Sequence, residues 1–393
     1  MFTKKLNIIM GNLILKGYPT NIFNNKIINF LNEISKEISK KTLNKDLNDL
    51  KSFGFWCRKK NIENLSKSYE VEKFYGRGTV LHIAPSNVPM NFAYSMAFGL
   101  LSGNRNIVRL PSRKFFQVTL LCQIMKKILK KKIYKKITNS LCLIRYNRED
   151  EISAYISSLA DARLIWGGDE SIKKFKEYPT KPRCIDLNFS NRYSFSLINS
   201  SKLNKLNKSE IKNLAMRFYN DTYLMDQQGC SSPQALIWLG NKNPEIKKLF
   251  WKNLSDIVNI KYHTDLSVVS KKISSLSLNI LNSNVKLKVN YKDFKLVKID
   301  PSKLNFEVDK IQCNFGTFLE SNINSLDTMK KFVSTKFQTI TYFGIEPNEI
   351  EKVIVKNGIN GVDRIVKIGR AFDMGPIWDG FDIISSLSRI ITK

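Results

Sequence analysis

In the stretch "NKIINFLNEISKEISK" apolar residues recur three and four apart, the period of a helix with one buried face. "LNDLKSFGFWCRKKNIENLSKSY" continues that pattern, so residues 20–75 read mainly as helices. From Gly76 the texture changes. "GRGTVLHIAPSNVP" is a short apolar run closed by a proline-bounded turn, which predicts a strand. "MNFAYSMAFGLLSG" is an apolar helix of small residues and predicts close packing. "RNIVRLPS", "SLCLIRY", "ARLIWGG" and "RCIDLNF" are further strands, separated by "FFQVTLLCQIMKKILKKK", "REDEISAYISSLA" and "DESIKKFKEY" as helices. Strands alternating with helices over 77–190 predict a parallel, doubly wound sheet, whose ligands bind beyond the carboxyl ends of the strands.

Near Ser201 the pattern restarts. "NKSEIKNLAMRFYNDTYL" is amphipathic, "MDQQGCSSPQ" is a turn and "ALIWLG" is a strand. Alternation then runs through "LFWKNLSDIV", "VKLKVNY", "FGTFLES", "TMKKFVSTKF" and "QTITYFG", which predicts a second α/β domain. "GVDRIVKIGRAFDMGPIWDGFDIISSLSRIITK" returns to a strand, a Gly/Pro-rich loop and a final segment. At the other end Lys4 and Lys5 precede an apolar run, but Asn7, Gly11 and Asn12 interrupt it and no small-residue cleavage site follows. It reads as a first strand or hairpin of the fold.

Composition narrows the class. A hydrophobic fraction of 42% suits a globular chain, and no apolar run reaches the roughly eighteen residues of a membrane span. Six scattered cysteines, without a CxxC pair or a neighbouring histidine, make neither a disulfide framework nor a zinc site and suit a reducing cytoplasm. No metal-ligand spacing and no glycosidase-like carboxylate pair appears. The net charge of +30 could serve nucleic acid, a membrane surface or anionic substrates. The lysines interleave with helix and strand patterns, and no nucleic-acid motif accompanies them, so small phosphorylated partners fit better.

Candidate chemistry lies in the loops. Cys230 sits in the polar, turn-prone "DQQGCSSPQ", unlike Cys142 in "LCLIRY", and a reachable thiol there is a candidate nucleophile. A half-exposed structural cysteine fits that stretch equally well. In "WGGDESI", Gly167 and Gly168 leave room for a phosphate near a helix start, although a plain turn capped by Asp169 would look the same. "RLPSR" puts Arg109 and Ser112 at a strand end, as nucleotide contacts or as helix caps. Asn87, between Pro85 and Pro89, offers an amide of the kind that stabilises an oxyanion, or is a turn residue. His82, inside "LHIAP", reads as a packing residue.

Taken in order, "HIAPSNVPMNFAYSMAFGLLSGNRNIVRLPSR", "WGGDESIKKF", "DQQGCSSPQ" and "GRAFDMGPIWDG" resemble the landmarks of the bacterial acyl-CoA reductase family, the LuxC-type fatty acyl reductases of the aldehyde dehydrogenase superfamily. The resemblance covers about residues 75–393. It implies an aldehyde-dehydrogenase-like α/β fold: a Rossmann-type dinucleotide-binding domain at 76–200, a second α/β domain carrying the catalytic cysteine at 201–345, and a return segment at 346–393 that can serve oligomerisation. Residues 1–75 are expected to pack on the cofactor domain. It further implies Cys230 as nucleophile, Asn87 as oxyanion donor, and Pro85, Ser86, Arg109, Ser112, Gly167 and Gly168 as contacts of NADPH. Three departures stand out. Arg109 is displaced relative to the lysine expected in the superfamily's cofactor motif. Cys313 occupies the glutamate position of the superfamily's Glu-x-Phe-Gly site, and "DLNF", with Asp186, stands where the general base of hydrolytic members is found.

The implied activity is NADPH-dependent reduction of an acyl thioester, on CoA or an acyl carrier, to an aldehyde through an acyl-cysteine. An acyl-protein synthetase is a candidate partner, and a cytoplasmic homo-oligomer without nucleic acid, metal or membrane span is expected. Two alternatives remain: a non-reducing acyl-acceptor or scaffold subunit, and an NAD(P)-dependent aldehyde dehydrogenase.

Overall fold

Contacts divide the chain into two units, residues 1–190 with 374–393, and residues 191–373. The computed structural model describes residues 5–41, 47–240, 243–284, 286–305 and 307–392. Lys4 and Val285, the latter in "VKLKVNY", lie outside them.

The first unit begins with β1 (Asn7–Met10), followed by the helices α1 (Asn25–Ser39), α2 (Asn48–Trp56) and α3 (Lys59–Ser66). The Asn24 side chain caps α1 by accepting from Lys26 N, and Ile27, Leu31, Ile34 and Ile38 form its buried face. After β2 (Phe74–Gly76) come β3 (Thr79–Ile83), α4 (Asn91–Leu101), β4 (Arg105–Arg109), α5 (Phe116–Leu129), α6 (Lys135–Thr138) and β5 (Leu141–Arg145). Then α7 (Asp150–Ser158), β6 (Ala162–Trp166), α8 (Asp169–Glu177) and β7 (Ile185–Phe189) complete a six-stranded sheet, ordered β1-β5-β4-β3-β6-β7. Only β1 runs antiparallel there, and every residue of β3 and β6 is buried, as a parallel sheet covered on both faces requires.

Two buried polar arrangements lock this sheet. Arg163 of β6 donates to both carboxylate oxygens of Asp186 on β7, at 2.7 and 2.6 Å, and to the carbonyl of Phe175. His82, fully buried in β3, sits in a directed chain. Trp166 Nε1 donates to Ser95 Oγ at 3.1 Å, which leaves the Ser95 hydroxyl to donate to His82 Nδ1 at 2.8 Å. His82 Nε2 then carries the proton given to Asn106 Oδ1 at 2.8 Å, and the Asn106 amide donates to the Asn104 carbonyl.

This packing histidine is held neutral, its pKa pushed down to about 4 by burial. Its unfolded counterpart takes up a proton first as the pH falls through about 6.5. The stability it contributes is therefore complete above that value and drains away toward pH 4. Urea unfolding at pH 7.5 and 4.5 is expected to show His82 costing about 2–3 kcal/mol over that interval, a slope that His82→Gln should remove.

The second unit opens with β8 (Tyr193–Asn199), α9 (Ser200–Leu203) and α10 (Lys208–Thr222), whose start is closed by a reciprocal capping box between Asn207 and Glu210. β9 (Ala235–Leu239), α11 (Pro244–Lys261), α12 (Leu266–Asn282), β10 (Leu287–Asp293), β11 (Leu296–Pro301), β12 (Thr317–Ile323), β13 (Phe337–Phe343), α13 (Pro347–Lys356) and β14 (Arg364–Lys367) follow. The seven-stranded sheet is ordered β10-β11-β12-β9-β8-β13-β14, with only β10 antiparallel.

The units do not break where the hydrophobic pattern suggested. β8 belongs to the second sheet, because Tyr193, Phe195 and Leu197 pack into its core and β9 and β13 pair on either side. β14 extends the same sheet through β13, so the return segment begins at Met374, not at 346. "TMKKFVSTKF" forms only a short 3₁₀ turn, Leu326–Lys331, enough to bury Met329, Phe332 and Val333.

The return segment carries β15 (Ile377–Trp378), β16 (Phe381–Asp382), α14 (Ile383–Ser386) and β17 (Ser388–Ile390). β17 pairs antiparallel with β2, Arg77 Nε donates to the Ser386 carbonyl at 2.8 Å, and Asn104 Nδ2 donates to that of Leu387 at 2.8 Å. Among the described residues, no helix is long and apolar enough to cross a membrane.

Candidate active site

In the first unit a cavity of about 400 Å³ opens at the carboxyl ends of β3, β4 and β6, beside Ile83, Arg109 and Trp166. The loop after β3 lines it with Pro85, Ser86 and Asn87, the loop after β4 with Ser112, and the loop after β6 with Gly167 and Gly168. The seven residues expected as cofactor contacts or oxyanion donor in this unit thus border one space. The sequence reading missed Asn147, Arg148, Trp166, Ser171 and Phe175, which also line it. "YNRED", a polar cluster directly after a strand, was the available signal for Asn147 and Arg148.

Each wall has a physical origin. The Trp166 ring stacks on Phe189 with centroids 3.8 Å apart, and its nitrogen is spent on Ser95. The Arg109 guanidinium lies over the Tyr146 ring at 4.4 Å, while its Nε is buried without a hydrogen-bond partner. That orphaned donor fits an anionic or hydroxyl-bearing ligand. The lining holds two arginines and no carboxylate. By contrast, α8 carries Asp169 and Glu170 in its first turn, so the positive end of that helix is already complemented, and the cations of the lining are Arg109 and Arg148.

Cys230 lies in the second unit, at the amino end of its sheet. Two consecutive left-handed residues, Asp226 (φ 54) and Gln227 (φ 56), shape the loop before it. Such backbone costs roughly 1–3 kcal/mol per residue unless its surroundings enforce it. Here they do. The buried Gln227 amide accepts from Gly316 N (2.6 Å) and Thr317 N (3.1 Å) and donates to the carbonyls of Pro233 (3.1 Å) and Thr317 (2.9 Å). Asp226 accepts from Tyr262 Oη at 2.6 Å and, through its carbonyl, from Phe315 N. Gln234 Oε1 accepts from Cys313 N at 2.9 Å. The glutamines around the cysteine therefore tie its loop to the "CNFGTF" strand entry, and Cys313 itself is fully buried.

At the cysteine, Ser194 Oγ donates to the Cys230 carbonyl at 2.7 Å and Gln338 Nε2 to Cys230 Sγ at 3.4 Å. Cys230 is half-buried. Burial pushes the other five thiols up: Cys122 and Cys184 to about 11, Cys142 and Cys313 to about 12, and Cys57 well above its usual value.

Two ionisable side chains hold the loop at 368–373, which lies beside Gly229. The buried Asp221 carboxylate accepts from Gly369 N (2.6 Å) and Ala371 N (2.9 Å), and its carbonyl accepts from Ser232 Oγ. Burial raises its pKa to about 7, against the pull of those two N–H groups. The Arg364 guanidinium donates to the carbonyls of Ala371 (2.5 Å), Arg370 (3.1 Å) and Asp373 (2.7 Å). Loop 368–373 is thus gripped on its donors by one residue and on its acceptors by the other. Phe372 of that loop packs so close to Gly229 that a Cβ there would come within 2.7 Å of its ring.

Known proteins share this architecture. The solved structures it resembles include glyceraldehyde-3-phosphate dehydrogenase GapN from Methanocaldococcus jannaschii complexed with NADP (TM-score 0.63, 13% identity, 93% of this chain and 88% of that one). Another is a putative aldehyde dehydrogenase from Burkholderia cenocepacia (TM-score 0.65, 9% identity, 93% and 83%). The fold is that of aldehyde dehydrogenases. In sequence the chain is 27% identical over 170 residues to a long-chain acyl-protein thioester reductase from Aliivibrio fischeri, covering 43% of this chain and 33% of the relative. It is 23% identical over 324 residues to one from Photorhabdus luminescens, covering 81% and 63%. It therefore spans between a third and just under two thirds of the length of these relatives. The model of the family described as Acyl-CoA reductase (LuxC) matches residues 16–390, and the chain belongs to that family.

Proposed function

We propose that this chain reduces an acyl thioester to an aldehyde, with Cys230 as the nucleophile and NADPH as the reductant. The observation that carries the reading is the setting of Cys230: a half-buried thiol on an enforced loop, its sulfur facing an amide donor, while burial suppresses the other five thiols. The thiolate attacks the carbonyl carbon of the acyl thioester. A carbon–sulfur bond to Cys230 forms, the bond to the donor sulfur breaks, and the donor thiol leaves. A reduced nicotinamide, when bound, supplies the hydride that reduces the acyl carbon. The bond to Cys230 then breaks, releasing the aldehyde and returning the thiolate. Asn87 and the Cys230 backbone N–H are assigned as oxyanion donors by family resemblance, one such donor being worth about 3–4 kcal/mol.

Asp186 argues against the hydrolytic alternative. It stands in the position of a hydrolytic general base, yet both its oxygens are engaged by Arg163. The reading is tested by intact-protein mass spectrometry with medium- and long-chain acyl-CoA and with an acylated carrier protein. An acyl adduct discharged as aldehyde by NADPH is the expected result. An adduct that NADPH leaves in place would instead identify a non-reducing acyl acceptor, and no adduct with any donor would end the proposal.

The choice of NADPH over NADH is carried by Arg109 and Arg148 in a cavity without carboxylates, which suits an additional phosphate. Arg148 is exposed, so Arg148→Ala leaves packing alone. Calorimetry is expected to show about a tenfold loss of NADPH affinity with little change for NADH. An equal loss for both would assign the arginine to a shared part of the cofactor.

A further inference from the structure

The Cys230 sulfur meets a neutral amide, that of Gln338. Gln338 lies near the start of β13 and is only 1% exposed. The neighbouring Thr339 hydroxyl donates to Gln338 Oε1 at 3.2 Å, which orients the amide with its nitrogen toward the sulfur. Thr339 N in turn donates to Ser194 Oγ at 3.2 Å, and that hydroxyl holds the Cys230 carbonyl. Backbone and side chain of the cysteine are thus referenced to the same two strand starts, of β8 and β13. A buried polar side chain aimed at a sulfur is an expense for the core unless the sulfur carries charge.

The second group is Arg364, the first residue of β14, which is paired with Thr339. Three hydrogen bonds to backbone carbonyls fix the guanidinium in place. Burial lowers the Arg364 pKa, and ionised Asp373 and Cys230 act against that fall, so by reciprocity the guanidinium favours the thiolate. The other charges around Arg364 are Asp221, Asp373 and Arg370, of which Arg370 and Asp373 pair with each other at 2.6 Å.

We propose that Gln338 and Arg364 are the positioning pair that keeps the Cys230 sulfur ionised, Gln338 by N–H···S donation and Arg364 by its fixed charge. The inference rests on Cys230 being the nucleophile and names what makes it one. The same pair serves both halves of the reaction. It raises the thiolate fraction for the attack and eases departure of the thiolate when the aldehyde is released.

The test is the pH dependence of iodoacetamide alkylation in the full chain, quantified by mass spectrometry on the peptide that carries Cys230. Gln338→Glu keeps the shape but sets a carboxylate against the sulfur. It is expected to move the alkylation midpoint up by about one pH unit and slow the reaction about tenfold at pH 7. Arg364→Gln should do the same, whereas Arg364→Lys, which keeps the charge, should leave the midpoint within about a third of a unit. A purely structural role would make the Lys and Gln variants equally damaging without separating their midpoints. Should Arg364→Gln fail to fold, Gln338→Glu decides alone. An unshifted midpoint in Gln338→Glu overturns the proposal. Retained reductase activity in Cys230→Ala would instead overturn the nucleophile assignment, while the midpoints would still report on the sulfur.

Discussion

Cys230→Ala is expected to lower aldehyde formation from an acyl thioester by at least about 10⁴-fold, the scale on which loss of a covalent nucleophile is felt. The acyl adduct should vanish with it. No other thiol stands ready as a substitute, because Cys57, Cys122, Cys142 and Cys313 are buried and Cys184, like them, has its thiol pushed up by desolvation. NADPH affinity should stay within about twofold, since the cavity assigned to the cofactor is built from residues of the first unit alone. Gas chromatography of the aldehyde, with calorimetry on the same preparation, separates the two quantities. A variant that retained a tenth of the activity would remove Cys230 from the mechanism.

The largest structural effect is expected from Gly99→Ala, a single methyl group in the middle of α4. A Cβ at that position would lie 2.0 Å from Asn106 Oδ1 and 2.6 Å from His82 Nε2. Neither atom can retreat freely, because both belong to the chain from Trp166 through Ser95, His82 and Asn106 to the Asn104 carbonyl. The methyl must therefore break a buried hydrogen bond or displace the helix from the sheet. Overpacking costs roughly 1–3 kcal/mol and an orphaned buried polar group a similar amount. Together they amount to about 2–6 kcal/mol, or a fall of about 10 °C in Tm for a unit of this size. Calorimetric melting checks it, and a Tm within about 2 °C of the parent would mean that the helix can shift at no cost.

The alternation over 77–190 was legible because each parallel strand is buried on both faces and reads as an unbroken apolar run, as in "TVLHI" and "ARLIW". The cavity loops were legible for a related reason: glycine, proline and arginine cluster where such runs stop. The surroundings of Cys230 were not. Gln338 and Arg364 lie more than a hundred residues from it, and strand pairing sets them side by side on β13 and β14, where the Gln338 amide reaches the sulfur. A glutamine in "FQTITYF" reads as the solvent side of a strand. Asp221 ends an amphipathic helix and reads as an exposed charge, although it is buried against the 368–373 loop. α12 inverts the usual pattern. Its inward face carries Lys272, donating to the carbonyls of Phe294 and Phe315, and Asn279, bonded to Gln312, while Leu266, Ile273 and Leu281 point outward. Periodicity of apolar residues cannot find a helix that buries its polar side.

The pairing of β17 with β2 has a consequence for how the molecule is made. The first unit lacks its closing strand, and the carbonyls that receive Arg77 and Asn104, until synthesis has passed residue 390. Roughly 180 residues of the second unit intervene, about ten to forty seconds of ribosomal elongation. The cysteine-bearing unit is contiguous and can consolidate during that interval. The nucleotide-type sheet, although translated first, finishes last. A ribosome stalled within residues 374–390 would therefore leave a nascent chain with its thiol site assembled and its first unit still open.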